Sequence, residues 1–143
     1  MAKNTFIVAY DGEHQDVVDY AAARAVKEGA ELYIVHILEW SPYSFLTPEE
    51  LEERHKRRTE ELAKAETMVM QPALEKARAA GATANGEIRY GSVVQQILTI
   101  AEEQGASMIF VRRAGSSTLA SRVFGSVSIG LAQAAPVATV IVP

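Results

Sequence analysis

The sequence predicts an α/β domain built on a parallel sheet. Three observations carry that reading. Short apolar runs rich in β-branched residues alternate with helix-periodic segments along the whole chain. Glycine, proline or a capping residue marks most of the switches between them. With 143 residues and 48% hydrophobic content, there is material for one packed domain and little room for a second, so residues 1–143 are read as a single unit.

Residues 5–10 (Thr-Phe-Ile-Val-Ala-Tyr) form a buried-strand run stopped by Asp11-Gly12. From residue 14 to 28, Val17, Val18, Ala21, Ala22, Ala25 and Val26 fall at helical spacing, and Gly29 follows as a C-cap. Residues 31–38 are the second strand. Thr47, Pro48 and Glu50 then supply an N-cap, a first-turn proline and a capping-box acid. The helix they open is predicted to run to residue 80, kinked or divided at Pro72. Its first half carries Glu/Lys and Glu/Arg pairs four apart (50/54, 52/56, 53/57, 60/64), each worth about 0.3 kcal/mol.

Residues 82–89 read as a weaker third strand. Ser92-Val-Val-Gln95 reads as a second capping box, opening a helix closed by Gly105. Residues 107–111 are the fourth strand, 126–134 the last helix, and 136–142 the fifth strand. Such alternation calls for right-handed crossovers, helices on both faces, and a crevice at the carboxyl ends of the strands where ligands bind.

Composition narrows the function. Lys and Arg number 14 against 18 Asp and Glu, a formal charge of −4, which points away from a duplex nucleic-acid binder. The absence of cysteine removes disulfides, thiolate zinc sites and iron–sulfur clusters. His14, His36 and His55 share no metal-ligand spacing, so no built-in transition-metal site is expected. The first apolar run is too short for a secretory core or a membrane span, and the expectation is a cytoplasmic protein with no membrane association.

The strand-end rule directs attention to Asp11, to residues 36–40, and to residues 111–115. The chain has only three aspartates (Asp11, Asp16 and Asp19), so no other Asp can serve a strand-end site. Asp-Gly is also common turn chemistry, so a turn or helix-cap role stands beside the ligand role. Residues 111–128 join a strand to a helix through small and hydroxyl-bearing residues, with Gly125-Ser126 at the expected helix mouth. Free N–H groups and the positive helix end make such a place an anion site, and the alternative is a plain loop with Ser126 as N-cap. Trp40, Tyr43 and Phe45 form an aromatic loop suited to covering an adenine, a partner or the core's edge. The basic run 54–58 is flanked by acids and reads as a solvated helix face. No nucleophile elbow accompanies the Ser, His and Asp residues.

Taken together, Val8-Ala9-Tyr10-Asp11-Gly12, Val35-His36-Ile37-Leu38-Glu39, Gly91, the glycine-bearing loop, Gly125-Ser126-Val127-Ser128 and the ending 134–142 resemble the universal stress protein family from end to end. The resemblance implies a Rossmann-like sheet of five strands in order 3-2-1-4-5, and a homodimer formed by antiparallel pairing of the last strands. In one large branch it also implies ATP or another adenine nucleotide in the crevice, with Mg²⁺ arriving on its phosphates. That branch carries Gly-x-x-Gly, nine residues, then Gly-Ser/Thr. Gly115 and Gly125-Ser126 match, whereas Arg112 stands where the first glycine belongs. Carried over position by position, Asp11 would hold the adenine beside main chain of Ala9, Tyr10 and Ile37. Val111 would line the pocket, Gly115 would give room near the ribose, and Gly125, Ser126, Val127 and Ser128 would bind phosphate oxygens.

Arg112 cannot approach a ligand as glycine does, yet its guanidinium could meet phosphate; obstruction is the preferred reading. The resulting expectation is a non-enzymatic stress-response regulator that binds an adenine nucleotide and acts through an unidentified protein partner. The rival is a nucleotide-free dimer of the same family working by protein–protein contact. A hydrolase or transferase is weakest, since no general base is visible beyond Asp11.

Overall fold

The computed structural model describes residues 4–39, 47–113 and 119–143, of which 119–126 are described as backbone only. The elements are β1 (Thr5–Ala9), α1 (Gln15–Glu28), β2 (Glu31–Glu39), α2 (Pro48–Ala65), a π-helical turn (Glu66–Met70), α3 (Gln71–Ala79), β3 (Ala84–Gly91), α4 (Val93–Glu103), β4 (Met108–Arg112), α5 (Leu119–Ala134) and β5 (Ala138–Val142). The strands form one sheet in the order β3-β2-β1-β4-β5, with every described pairing parallel. The expected architecture is therefore present.

Strand alternation divides the core into two layers. Phe6, Val8, Leu32, Ile34 and Phe110 pack against Val17, Val18, Ala21 and Ala22 of α1 and against Met70, Ala73 and Leu74 around α3. Ile7, Ala9, Val35, Ile37, Ile109 and Val111 pack on the opposite face, against Ile97 and Ile100 of α4 and Val127 and Leu131 of α5. Both faces of β1 are buried, as a central parallel strand requires. Gly86 on β3 admits a close approach: a Cβ there would lie 2.5 Å from the Ile34 carbonyl oxygen and 2.7 Å from Met70 Sδ.

Three boundaries differ from the sequence expectations for identifiable reasons. Pro72, which has no N–H to donate, lies at the start of α3, and the preceding turn widens so that the Gln71 N–H reaches Glu66, five residues back. The long helix is thus interrupted by a π turn just before the proline. Thr47 and Glu50 form the expected reciprocal capping box, but Ser92 makes no side-chain cap bond, so the second box is not realised. The last helix begins at Leu119, seven residues before the expected Ser126. Nothing from Leu119 to Phe124 forbids helix, and that part of the stretch expected to be loop is wound into α5.

Candidate functional site

The carboxyl ends of β1, β2 and β4 lie side by side: Ala9 is in register with Val35 on one side and Val111 on the other. Ala9, Ile37, Val111 and Val127 all belong to the α4/α5-side apolar cluster, with exposures of 9% or less. The structure thus brings four of the residues singled out in the sequence onto one face at the mouth of the sheet. Ser128 is buried beside Val127. Gly115 lies outside the described residues, as do Trp40, Tyr43 and Phe45.

Tyr10 continues β1 for one step, its N–H donating to the Val35 carbonyl at 2.9 Å, while its ring turns into the α1-side core. Burial, followed by the charges of Asp11 and Asp19, pushes its phenol above the usual range. Asp11 then folds back on the entry to α1. Its Oδ1 accepts the backbone N–H groups of Glu13 and His14, each at 2.9 Å, and its Oδ2 accepts from His14 Nδ1 at 2.5 Å. His14, at the N-cap position, makes no side-chain cap bond of its own; the Asp11 carboxylate instead fixes the turn that leads into α1, through the Glu13 and His14 N–H groups. Burial pushes the Asp11 carboxyl up, but the His14 and Glu13 N–H groups and the His14 ring outweigh it and hold the acid below the ordinary carboxylate range. Asp11 is therefore a fixed anion just beyond the carboxyl end of β1, its side chain 17% exposed, and His14, 40% exposed, is its partner.

Arg112 occupies the opposite phase of β4 from Val111. Its Nε lies 3.3 Å from Asp16 Oδ2 in the first turn of α1, on the face away from Ala9, Ile37 and Val127. In this arrangement the guanidinium pairs with Asp16 outside the α4/α5-side apolar cluster. Arg113 is exposed, and its N–H donates to the Val142 carbonyl. Gly125 and Ser126 lie one and a half turns or more inside α5, so their N–H groups belong to the helix ladder and do not form a helix mouth. Among the described residues no cluster of three or more His, Asp or Glu side chains could hold a metal ion. No helix among them is long and apolar enough to cross a membrane.

Sequence reasoning weighed His14 and His36 only as metal ligands and motif positions and missed their contacts to Asp11 and Tyr10. His14 was legible as a helix-entry residue three positions after Asp11. His36 was legible as a polar residue in the apolar phase Leu32, Ile34 of β2.

An open parallel α/β sheet in the order 3-2-1-4-5, with an acid fixed at a central strand end, is the architecture of the doubly wound class. Residues 4–143 match the universal stress protein family, and the chain belongs to that family. No curated protein matches it by sequence. Among solved structures it is similar to the universal stress protein UspA from Lactobacillus plantarum, 20% identical with a TM-score of 0.79 over the whole of both chains. A universal stress protein in complex with cAMP is 24% identical, with a TM-score of 0.71 over all of this chain and 98% of that one. The universal stress protein from Archaeoglobus fulgidus in complex with dAMP is 17% identical, with a TM-score of 0.65 over 99% of this chain and 98% of that one.

Proposed function

We propose that this universal stress protein binds an adenine nucleotide in the carboxyl-end crevice and acts, without turnover, as a dimeric regulator in the cytoplasm. The observation that carries the reading is the convergence of Ala9, Ile37, Val111 and Val127 on one face at the strand ends, with the Asp11 carboxylate fixed just beyond the end of β1. An apolar floor with one oriented acceptor suits a purine, whose rings need a dry surface and whose exocyclic amine needs an acceptor. The cAMP and dAMP complexes of two similar proteins support the same ligand class. Mg²⁺ would come with the nucleotide's phosphates, because the described side chains supply no cage of their own.

The dimer is proposed through β5. This strand is an edge of the sheet, and Ile141 on it and Ile129 on the adjoining α5 are 47% and 60% exposed. Mass spectrometry of the protein as purified, together with calorimetry against ATP, ADP, AMP and cAMP, tests the ligand. Absence of both copurified and added nucleotide would reject it.

The nucleotide-free reading has an observation of its own. With α5 starting at Leu119, the Gly125 and Ser126 N–H groups are spent within the helix, and Arg112 replaces the family's first loop glycine. That reading expects a dimer of unchanged melting temperature in the presence of millimolar nucleotide. Steady-state phosphate release under saturating ATP tests the non-enzymatic assignment, and sustained turnover would overturn it.

A further inference from the structure

In the β2 phase that faces α1 and α3, Leu32 and Ile34 are followed by His36, a buried imidazole in an otherwise apolar row. Two consecutive residues of β2 grip the residue just before Asp11. The Val35 carbonyl accepts the Tyr10 N–H, and His36 Nδ1–H donates to the Tyr10 carbonyl, both at 2.9 Å. In a parallel ladder the Tyr10 carbonyl would next accept the backbone N–H of Ile37. The imidazole takes that place, so the carbonyl stays satisfied while the chain leaves the sheet.

The same ring supports the far side of the turn. Gly12 adopts φ +90°, and a Cβ on it would lie 3.0 Å from His36 Cε1, with Val69 Cγ1 at 3.5 Å. Asp11 thus sits between two residues that both rest on one buried side chain. The ring of Tyr10 lies 6.3 Å from that of His36, closing the contact from the core side.

We propose that His36 is the positioning residue of the Asp11 turn: its ring N–H anchors the Tyr10 carbonyl and its Cε1 edge supports Gly12, which together set where the Asp11 carboxylate stands in the crevice. The geometric role concerns this chain alone; its consequence for affinity rests on the nucleotide reading above. A side chain of similar bulk without a donor would leave the Tyr10 carbonyl unpaired beneath the surface, and the turn would shift to find water.

The test compares His36→Leu, which keeps volume but has no donor, with His36→Asn, whose amide N–H sits one bond from Cγ as Nδ1 does. Carbon-detected NMR of the Asp11 carboxyl provides a reading that needs no ligand. In the wild type it titrates below the ordinary carboxylate range; His36→Leu is expected to raise it towards that range, and His36→Asn to restore it. AMP affinity by calorimetry is expected to fall about tenfold in His36→Leu and to recover in His36→Asn. An Asp11 titration unchanged in folded His36→Leu overturns the proposal. Should that variant not fold, Gly12→Ala presses on the same contact from above. It is expected to move the Asp11 titration likewise, and an unmoved one overturns the proposal equally. If the titration shifts as expected but neither wild type nor variants bind AMP, the positioning role stands and the nucleotide reading fails.

Discussion

Replacing Asp11 by alanine should destabilise the fold as well as disturb the crevice. As a rim residue, Asp11 would be expected to leave the melting temperature almost unchanged. The structure argues otherwise, because its carboxylate accepts two backbone N–H groups in the turn that leads into α1 and the His14 ring besides. Loss of a helix-cap acceptor costs about 0.5–2 kcal/mol, and removal of a negative charge at a helix N-terminus about 0.3–1 kcal/mol. Taking about 1–2 kcal/mol for the partly exposed site, and about 3–4 °C per kcal/mol for a chain of this length, Asp11→Ala should melt roughly 3–8 °C below wild type. Asp11→Asn keeps an oxygen for the two N–H groups and should lose about half as much.

The sign with pH comes from the depressed acid. A carboxyl whose folded pKa lies below its unfolded value contributes stability above the unfolded value, about 3.9, and loses it as pH falls through the folded one. Thermal unfolding monitored by circular dichroism between pH 7 and pH 2 should therefore show the wild-type advantage over Asp11→Asn shrinking below about pH 4. Asp11→Ala melting within about 1 °C of wild type at pH 7, or a gap to Asp11→Asn that persists unchanged into acid, would refute the capping role.

The remaining expectations are briefer. On β5, Val142 turns its carbonyl to β4 by accepting the Arg113 N–H, so by alternation Thr139 turns its N–H to the open edge. Thr139→Pro should then spare the β4–β5 ladder yet give monomer or aggregate in light scattering; an intact dimer would exclude that edge as the interface. Because the Arg112 guanidinium lies with Asp16 on the α1 side, Arg112→Gly should change nucleotide affinity less than about threefold and stability by less than about 1 kcal/mol. A tenfold gain would restore the obstruction reading, and a tenfold loss would assign the arginine to phosphate. Ile109, fully buried in the α4/α5-side layer, should lose about 2–5 kcal/mol as alanine, measured by urea unfolding.

How far the sequence foretold this molecule can be traced residue by residue. Four of the strands were legible because each is a short run rich in β-branched or aromatic residues, and pattern of that kind depends little on what lies elsewhere in the fold; β3, with only Ile88 and Tyr90 of those types, was the weaker reading and lies two residues further on than expected. The start of α5 was not, since serine, threonine and glycine between Val111 and Ser126 favour loops locally while tertiary packing decides whether Leu119 onward is wound. The double life of Asp11 stayed open because a cap and a ligand acceptor require the same short carboxylate at the same helix entry.

Arg112 carries a different lesson. Its replacement of a loop glycine invited a choice between blocking a phosphate and binding one, and the phase of its side chain bears on both. Strand periodicity sets that phase: Met108, Phe110 and Arg112 occupy one side, Ile109 and Val111 the other. The arginine was bound to emerge on the α1 side, where Asp16, in the first turn of a helix entered through the Asp11 cap, supplies an exposed carboxylate. The same phase rule, applied to Leu32, Ile34 and His36, puts a histidine beneath the Asp11 turn. An acid at a strand end is thus flanked by a residue held from beneath by a side chain of the neighbouring strand, and is itself held from ahead by the N–H groups of the turn that leads into α1.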